Sequence, residues 1–77
     1  MRATRREMFQ HDLRLMIAAA NVSIEQKRGR LREEWGEVRD WPESEKKRLR
    51  DLIEYRRKQA ERLRRSVRAT MKEEGTK

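Results

Sequence analysis

The sequence predicts an all-α fold, an antiparallel hairpin of two long helices. Three observations predict it. The first is the stretch Asp40-Trp41-Pro42-Glu43, which holds the only proline in 77 residues. Proline lacks a backbone N–H and clashes with the preceding turn, so it breaks a helix interior but suits a first turn. The second is that apolar residues recur at helical spacing on both sides of this break. The third is composition: 34% of residues are hydrophobic and 47% are charged. Such a chain is either disordered or a charged, exposed helical rod, and the periodicity selects the rod. One small domain is expected, with helices over about 4–39 and 41–73, a turn at about 39–42 and a short tail from about 74 to 77.

In the first half, Phe9, Leu13, Met16, Ile17, Ala20, Ile24, Leu31, Trp35 and Val38 share one face at 100° per residue. Leu13, Ile17, Ala20, Ile24, Leu31 and Val38 also fit a/d positions of a heptad, with Lys27 and Glu34 as polar members. This stripe reads as a core face. A thinner seam runs along the opposite side through Met8, Leu15, Val22, Gly29 and Gly36, spaced by sevens. Glycine inside a helix costs roughly 1 kcal/mol relative to alanine. Two of them in register suggest a close approach by another backbone, so the seam is a candidate protein interface.

Met16 to Leu31 resembles a DNA-binding helix-turn-helix over about one fifth of the chain. Ala20, Asn21 and Val22 match its small, turn and apolar positions, and Ser23 could cap a second helix. The resemblance implies a bend at Asn21–Ser23 and a helix that reads DNA. Ile17 stands where the motif takes Ala or Gly, and Lys27 and Arg30 where it buries apolar side chains. The apolar stripe also passes through Asn21 without changing phase. The expectation is therefore one continuous first helix.

In the second half, Leu49, Ile53, Arg56, Ala60, Leu63, Val67 and Met71 lie on one face, with Leu52 at its edge. Asp40 is placed to cap this helix, with Glu43 completing a capping box. Trp35 and Trp41 flank the turn and are expected to close that end. Two narrow stripes make a thin core, and small cores seldom offset the cost of ordering the chain. Self-association into a four-helix or coiled-coil-like assembly is therefore expected, making the protein a homo-oligomer.

Little in the sequence supports catalysis. His11 is the only histidine and there is no cysteine. No His-paired nucleophile or zinc spacing can be built, and no glycine-rich phosphate loop is present. A thin hairpin offers no water-excluding pocket. The expectation is a non-enzymatic protein without cofactor, metal or small-molecule substrate.

Charge carries the functional information. The net charge is +8 and the pI ≈ 10.8, with a mean hydropathy of -1.32. Arg56, Arg57, Lys58, Arg62, Arg64, Arg65 and Arg68 cluster with a single acid, Glu61, among them. An antiparallel hairpin brings this cluster towards Arg2, Arg5 and Arg6. The turn end carries Glu33, Glu34, Glu37, Asp40, Glu43 and Glu45. Bases along a helix neutralise phosphates without reading sequence. The leading expectation is sequence-non-specific binding of a nucleic-acid backbone through the 56–68 cluster. The alternative is a small adaptor or inhibitor, of the kind phages and regulatory operons encode. It would dock on a protein through its helical faces, or on an acidic protein surface through its bases. A membrane surface ranks third, because bulky aromatics on the apolar face are few. The apolar run Leu15–Ala20 is too short for a membrane span. The basic start is followed too soon by Glu7, His11, Asp12 and Arg14 for a secretory leader. A cytoplasmic protein is expected.

Overall fold

The computed structural model describes residues 4–75. Helix α1 spans Arg5–Trp35, a 3-10 turn spans Val38–Asp40, and helix α2 spans Glu43–Gly75. There is no strand among the described residues. The two helices pack antiparallel into a rod of 56 × 24 × 15 Å. Arg2 and the tail from Thr76 lie outside the described residues.

α1 begins with a capping box. Thr4 Oγ1 accepts from the Glu7 amide at 3.1 Å, and Glu7 Oε2 accepts from the Thr4 amide at 3.3 Å. Two orphan donors of the first turn are thereby satisfied. The helix then runs unbroken through Asn21–Ser23, so the bend implied by the helix-turn-helix resemblance is absent.

α1 ends four residues earlier than the expected Arg39. Gly36 adopts φ 75° and ψ −119°, a conformation that side chains disfavour, and its amide donates to the Arg32 carbonyl at 2.9 Å. Gly36 therefore terminates the helix and does not continue the seam. The connection is accordingly longer than the expected tight turn at 39–42. Glu37 is extended, and Val38–Asp40 forms a single 3-10 turn closed by Asp40 N–H to Glu37 O and Trp41 N–H to Val38 O. Trp41 is extended (φ −70°, ψ 142°), as the residue before proline prefers. The Pro42 carbonyl accepts from the Glu45 and Lys46 amides at 3.1 and 3.0 Å, which starts α2. Asp40 does not cap this helix; it lies in the 3-10 turn, with its carboxylate 3.9 Å from Arg39 Nε. At the far end α2 continues to Gly75, past the expected limit of 73.

The core sits at the turn end. Ile24, Leu31, Trp41 and Leu49 form a buried cluster, with Leu52 and Ile53 packed against it. Trp41 is 4% exposed, and its Nε1 donates to the Gly36 carbonyl at 3.1 Å. Trp41 alone closes the turn: Trp35 is 47% exposed and Val38 also faces solvent. Towards the open end only Leu13 and Ala20 are buried apolar residues among the described residues.

Polar layers complete the seam. In α1 the inward positions are Gln10, Leu13, Ile17, Ala20, Ile24, Lys27 and Leu31, spaced alternately by three and four. In α2 they are Glu45, Leu49, Leu52, Arg56, Gln59, Leu63, Ser66 and Thr70. Both series follow the heptad of an antiparallel coiled coil. Lys27 Nζ meets Glu45 Oε2 at 2.7 Å near the turn. Arg56 donates to Asn21 Oδ1 at 3.0 Å in the middle. Gln10 Nε2 donates to Ser66 Oγ and Thr70 Oγ1 at 3.0 and 3.1 Å near the open end. These three ties fix the register of one helix against the other.

Candidate nucleic-acid interface

The heptad of α2 decides which bases face outwards. Positions 56, 59, 63, 66 and 70 point towards α1, so 57, 58, 61, 64, 65 and 68 form the back of the helix. Five of the seven bases in the cluster, Arg57, Lys58, Arg64, Arg65 and Arg68, are exposed there. The other two lie off this back, Arg56 at an inward position and Arg62, itself exposed, beside the seam. Arg56 is half-buried and holds Asn21. Arg62 donates to Gln59 Oε1 at 3.0 Å, and its guanidinium stands 5.5 Å from the centroid of the Phe9 ring. Both contribute their charge to the hairpin itself, through a hydrogen bond and a cation–π contact.

Arg64 and Arg65 lie 3.7 and 3.6 Å from the two oxygens of Glu61. These pairs are solvent-exposed and therefore weak, so a phosphate can compete for the guanidinium groups. Arg57, Lys58 and Arg68 have no hydrogen bond or ion pair among the described residues. The outer row also gains a member outside the 56–68 stretch. Arg50, Arg57 and Arg64 follow one another at intervals of seven residues, about 10 Å of helix per step. Heptad spacing of these three arginines was the available signal.

The turn end is different in character. Glu37 pairs with Arg39 at 3.1 Å, and Glu43 with Lys46 at 3.3 Å. Glu45 is held below the usual carboxylate value of 4.5, chiefly by the hydrogen bond from Lys27 and then by the charges of Lys27, Arg48 and Arg30. Four of its six acids, Glu37, Asp40, Glu43 and Glu45, are thus matched by nearby bases, whereas the back of α2 from Arg57 to Arg68 carries five bases and one acid.

The second candidate surface lies on the back of α1. Met8, Leu15 and Val22 are 57%, 56% and 56% exposed, directly opposite the seam with α2. Gly29 continues this row, but no atom lies within 4 Å of where a Cβ would stand. The close backbone approach expected at Gly29 does not occur within this chain, and Gly36 lies beyond the helix. Between Leu15 and Ile24 α1 carries no charged residue, so its back is neutral where that of α2 is basic.

No helix among the described residues is long and apolar enough to cross a membrane. Compared with protein-family models, curated proteins and solved structures, the chain finds no match.

Proposed function

We propose that this protein is a non-enzymatic, sequence-non-specific binder of nucleic-acid backbone, acting through the back of α2. The supporting observation is the outward row of Arg57, Lys58, Arg64, Arg65 and Arg68, extended by Arg50. Of these five bases of the cluster, Arg57, Lys58 and Arg68 have no carboxylate partner among the described residues, and Arg64 and Arg65 share a single exposed glutamate. Arg56 and Arg62 support this surface by holding α2 on α1. A straight basic helix meets phosphates, which are alike at every base pair, and offers no set of side chains at a helix N-terminus for base edges. The cytoplasm is the setting that suits such a partner. The test is titration of a 20-base-pair duplex of random sequence at several salt concentrations. Affinity should fall linearly on a log–log plot, with a slope near −0.9 for each phosphate neutralised. Absence of binding to duplex and single strand at low salt would remove this reading.

A second reading rests on the back of α1. An apolar row through Met8, Leu15 and Val22, free of charge between Leu15 and Ile24, stands out on a chain that is 47% charged. It would pair two hairpins into a four-helix assembly or seat the hairpin on another protein. Pairing through α1 leaves both copies of α2 facing outwards, so the two readings are compatible.

A further inference from the structure

α2 carries a second apolar surface that neither reading uses. Ala60, Leu63, Val67 and Met71 line an open groove of ≈ 390 Å³, bordered by Arg64 and Arg68. Leu63 points towards α1, while Ala60 and Val67 flank the seam on the side that also carries Arg56 and Asn21. Met71 is 65% exposed. Past Leu49 no apolar residue of α2 is fully buried: α1 answers this half with Leu13 and Ile17, but also with Gln10, Ala20 and Asn21, which bring little apolar surface. The hairpin thus leaves the apolar strip from Ala60 to Met71 only partly covered at its open end, with Arg64 and Arg68 along one border.

We propose that this groove seats an acidic amphipathic helix from another polypeptide. Its apolar residues at i, i+3/i+4 and i+7 would lie on Leu63, Val67 and Met71, as in helix-in-groove recognition. Its flanking Asp and Glu would pair with Arg64 and Arg68. Charge argues against a second copy as occupant. Packing α2 on α2 would bring the two sets of Arg57, Arg64, Arg65 and Arg68 together, and like charges there are costly. The back of α1 supplies no carboxylate between Leu13 and Ile24, so it would leave Arg64 and Arg68 unmatched. Arg64 and Arg68 also belong to the outer row, so the acidic helix and a nucleic acid would compete for them.

The probe is a synthetic peptide of 18 residues, about five turns, with leucines along one face and glutamates beside them. A scrambled peptide of the same composition is the control. Binding is read by fluorescence anisotropy at physiological salt and by the methyl signals of labelled methionines. The patterned peptide should bind and shift the Met71 signal, leaving Met8 unmoved. Met71→Ser, which changes no charge at an exposed site, should weaken the peptide about tenfold and leave duplex binding as it was. Arg64→Glu with Arg68→Glu should reject the acidic peptide and accept one flanked by lysines. The proposal is overturned if the scrambled peptide binds equally well, if Met71 does not respond, or if neither peptide binds. It is also overturned if the free protein self-associates in a way that Met71→Ser abolishes, since a second copy would then fill the groove. Failure to bind duplex would remove the nucleic-acid reading alone, because the peptide assay contains no nucleic acid.

Discussion

Lys27 Nζ lies 2.7 Å from Glu45 Oε2, joining the last third of α1 to the first turn of α2. Each side chain is about a quarter exposed (24% and 27%), so water screens the pair only in part. The contact lowers the Glu45 pKa below 4.5, and the sign of its pH effect follows. A carboxylate with a depressed folded pKa stabilises the fold above its unfolded value. That contribution is lost as pH falls through the folded value. Thermal melts should therefore show Glu45→Gln less stable than wild type at pH 7. The gap should narrow below pH 4.5 and close once the pH has fallen through the depressed folded value, where wild-type Glu45 also becomes neutral. A constant gap across the acid range would mean that the ion pair does not contribute.

The two glycines of α1 and its end should respond oppositely to alanine. Gly36 holds φ 75°, and an L-residue there costs about 1–3 kcal/mol. Gly29 is helical, with open space where a Cβ would go, so alanine should stabilise by about 1 kcal/mol. Denaturant melts of Gly29→Ala and Gly36→Ala should shift in opposite directions. A destabilised Gly29→Ala would reveal a close neighbour at that position in the assembled protein.

Much of this fold is legible in the sequence because its signals are local. Pro42 has few places to go in a helical chain, and Leu13, Ala20, Ile24 and Leu31 keep phase through Asn21. The end of α1 is harder to read. Val38 happens to continue the heptad and Gly36 happens to sit seven residues after Gly29, so a terminator looks like part of a seam. The capping box at Thr4 and Glu7 has the usual T-x-x-E spacing, yet the proline draws attention to Asp40 instead. In the basic cluster, composition alone does not separate the bases. Arg56 and Arg62 differ from Arg57 and Arg64 only in heptad position, which becomes clear once Gln59 and Ser66 are placed in the seam. Polar residues there conceal the stripe from a search for hydrophobic periodicity.

The two tryptophans should behave as different probes. Trp41 is buried and hydrogen-bonded to Gly36, whereas Trp35 is half-exposed. Trp35→Phe should leave an emission resistant to iodide quenching, and Trp41→Phe should leave one that is readily quenched. Truncating the buried ring is the more damaging change. Trp41→Ala should cost about 3–5 kcal/mol, enough to unfold so thin a hairpin, because it opens the core cluster and frees the Gly36 carbonyl. Trp35→Ala should stay within about 0.5 kcal/mol. Similar losses for the two variants would show that Trp35 is buried by another chain.

Val22→Asp addresses the back of α1. Val22 is 56% exposed and takes no part in the seam, so the charge should leave helicity nearly unchanged. If the neutral surface pairs two hairpins, the added carboxylate must lose its hydration inside that contact, which is costly for an unpaired charge. Light scattering should then show a lower mass for the variant than for wild type at the same concentration. An unchanged mass would mean that Met8, Leu15 and Val22 are simply solvated.

The division of the basic cluster into members on the back of α2 and members that touch α1 gives the sharpest test of the proposed function. Arg57, Arg64 and Arg65 face away from α1, and their conversion to Gln keeps good helix formers on an exposed face. The triple variant should melt near the wild-type temperature. It should bind every duplex more weakly, with the salt slope flattened by up to about 2.7, three contacts at about 0.9 each. Arg56 and Arg62 should behave in the reverse manner. Replacing both by Gln removes the Asn21 bond and the contact over Phe9, so stability should fall. The slope should change by less than about one contact's worth, because neither guanidinium stands on the back of the helix. The comparison separates a binding face from a mere excess of charge. If the two variants flatten the slope in proportion to the charges removed, three against two, nucleic acid responds to net charge and not to the outer row. If the outward triple alone flattens it, the back of α2 is the surface that meets phosphate.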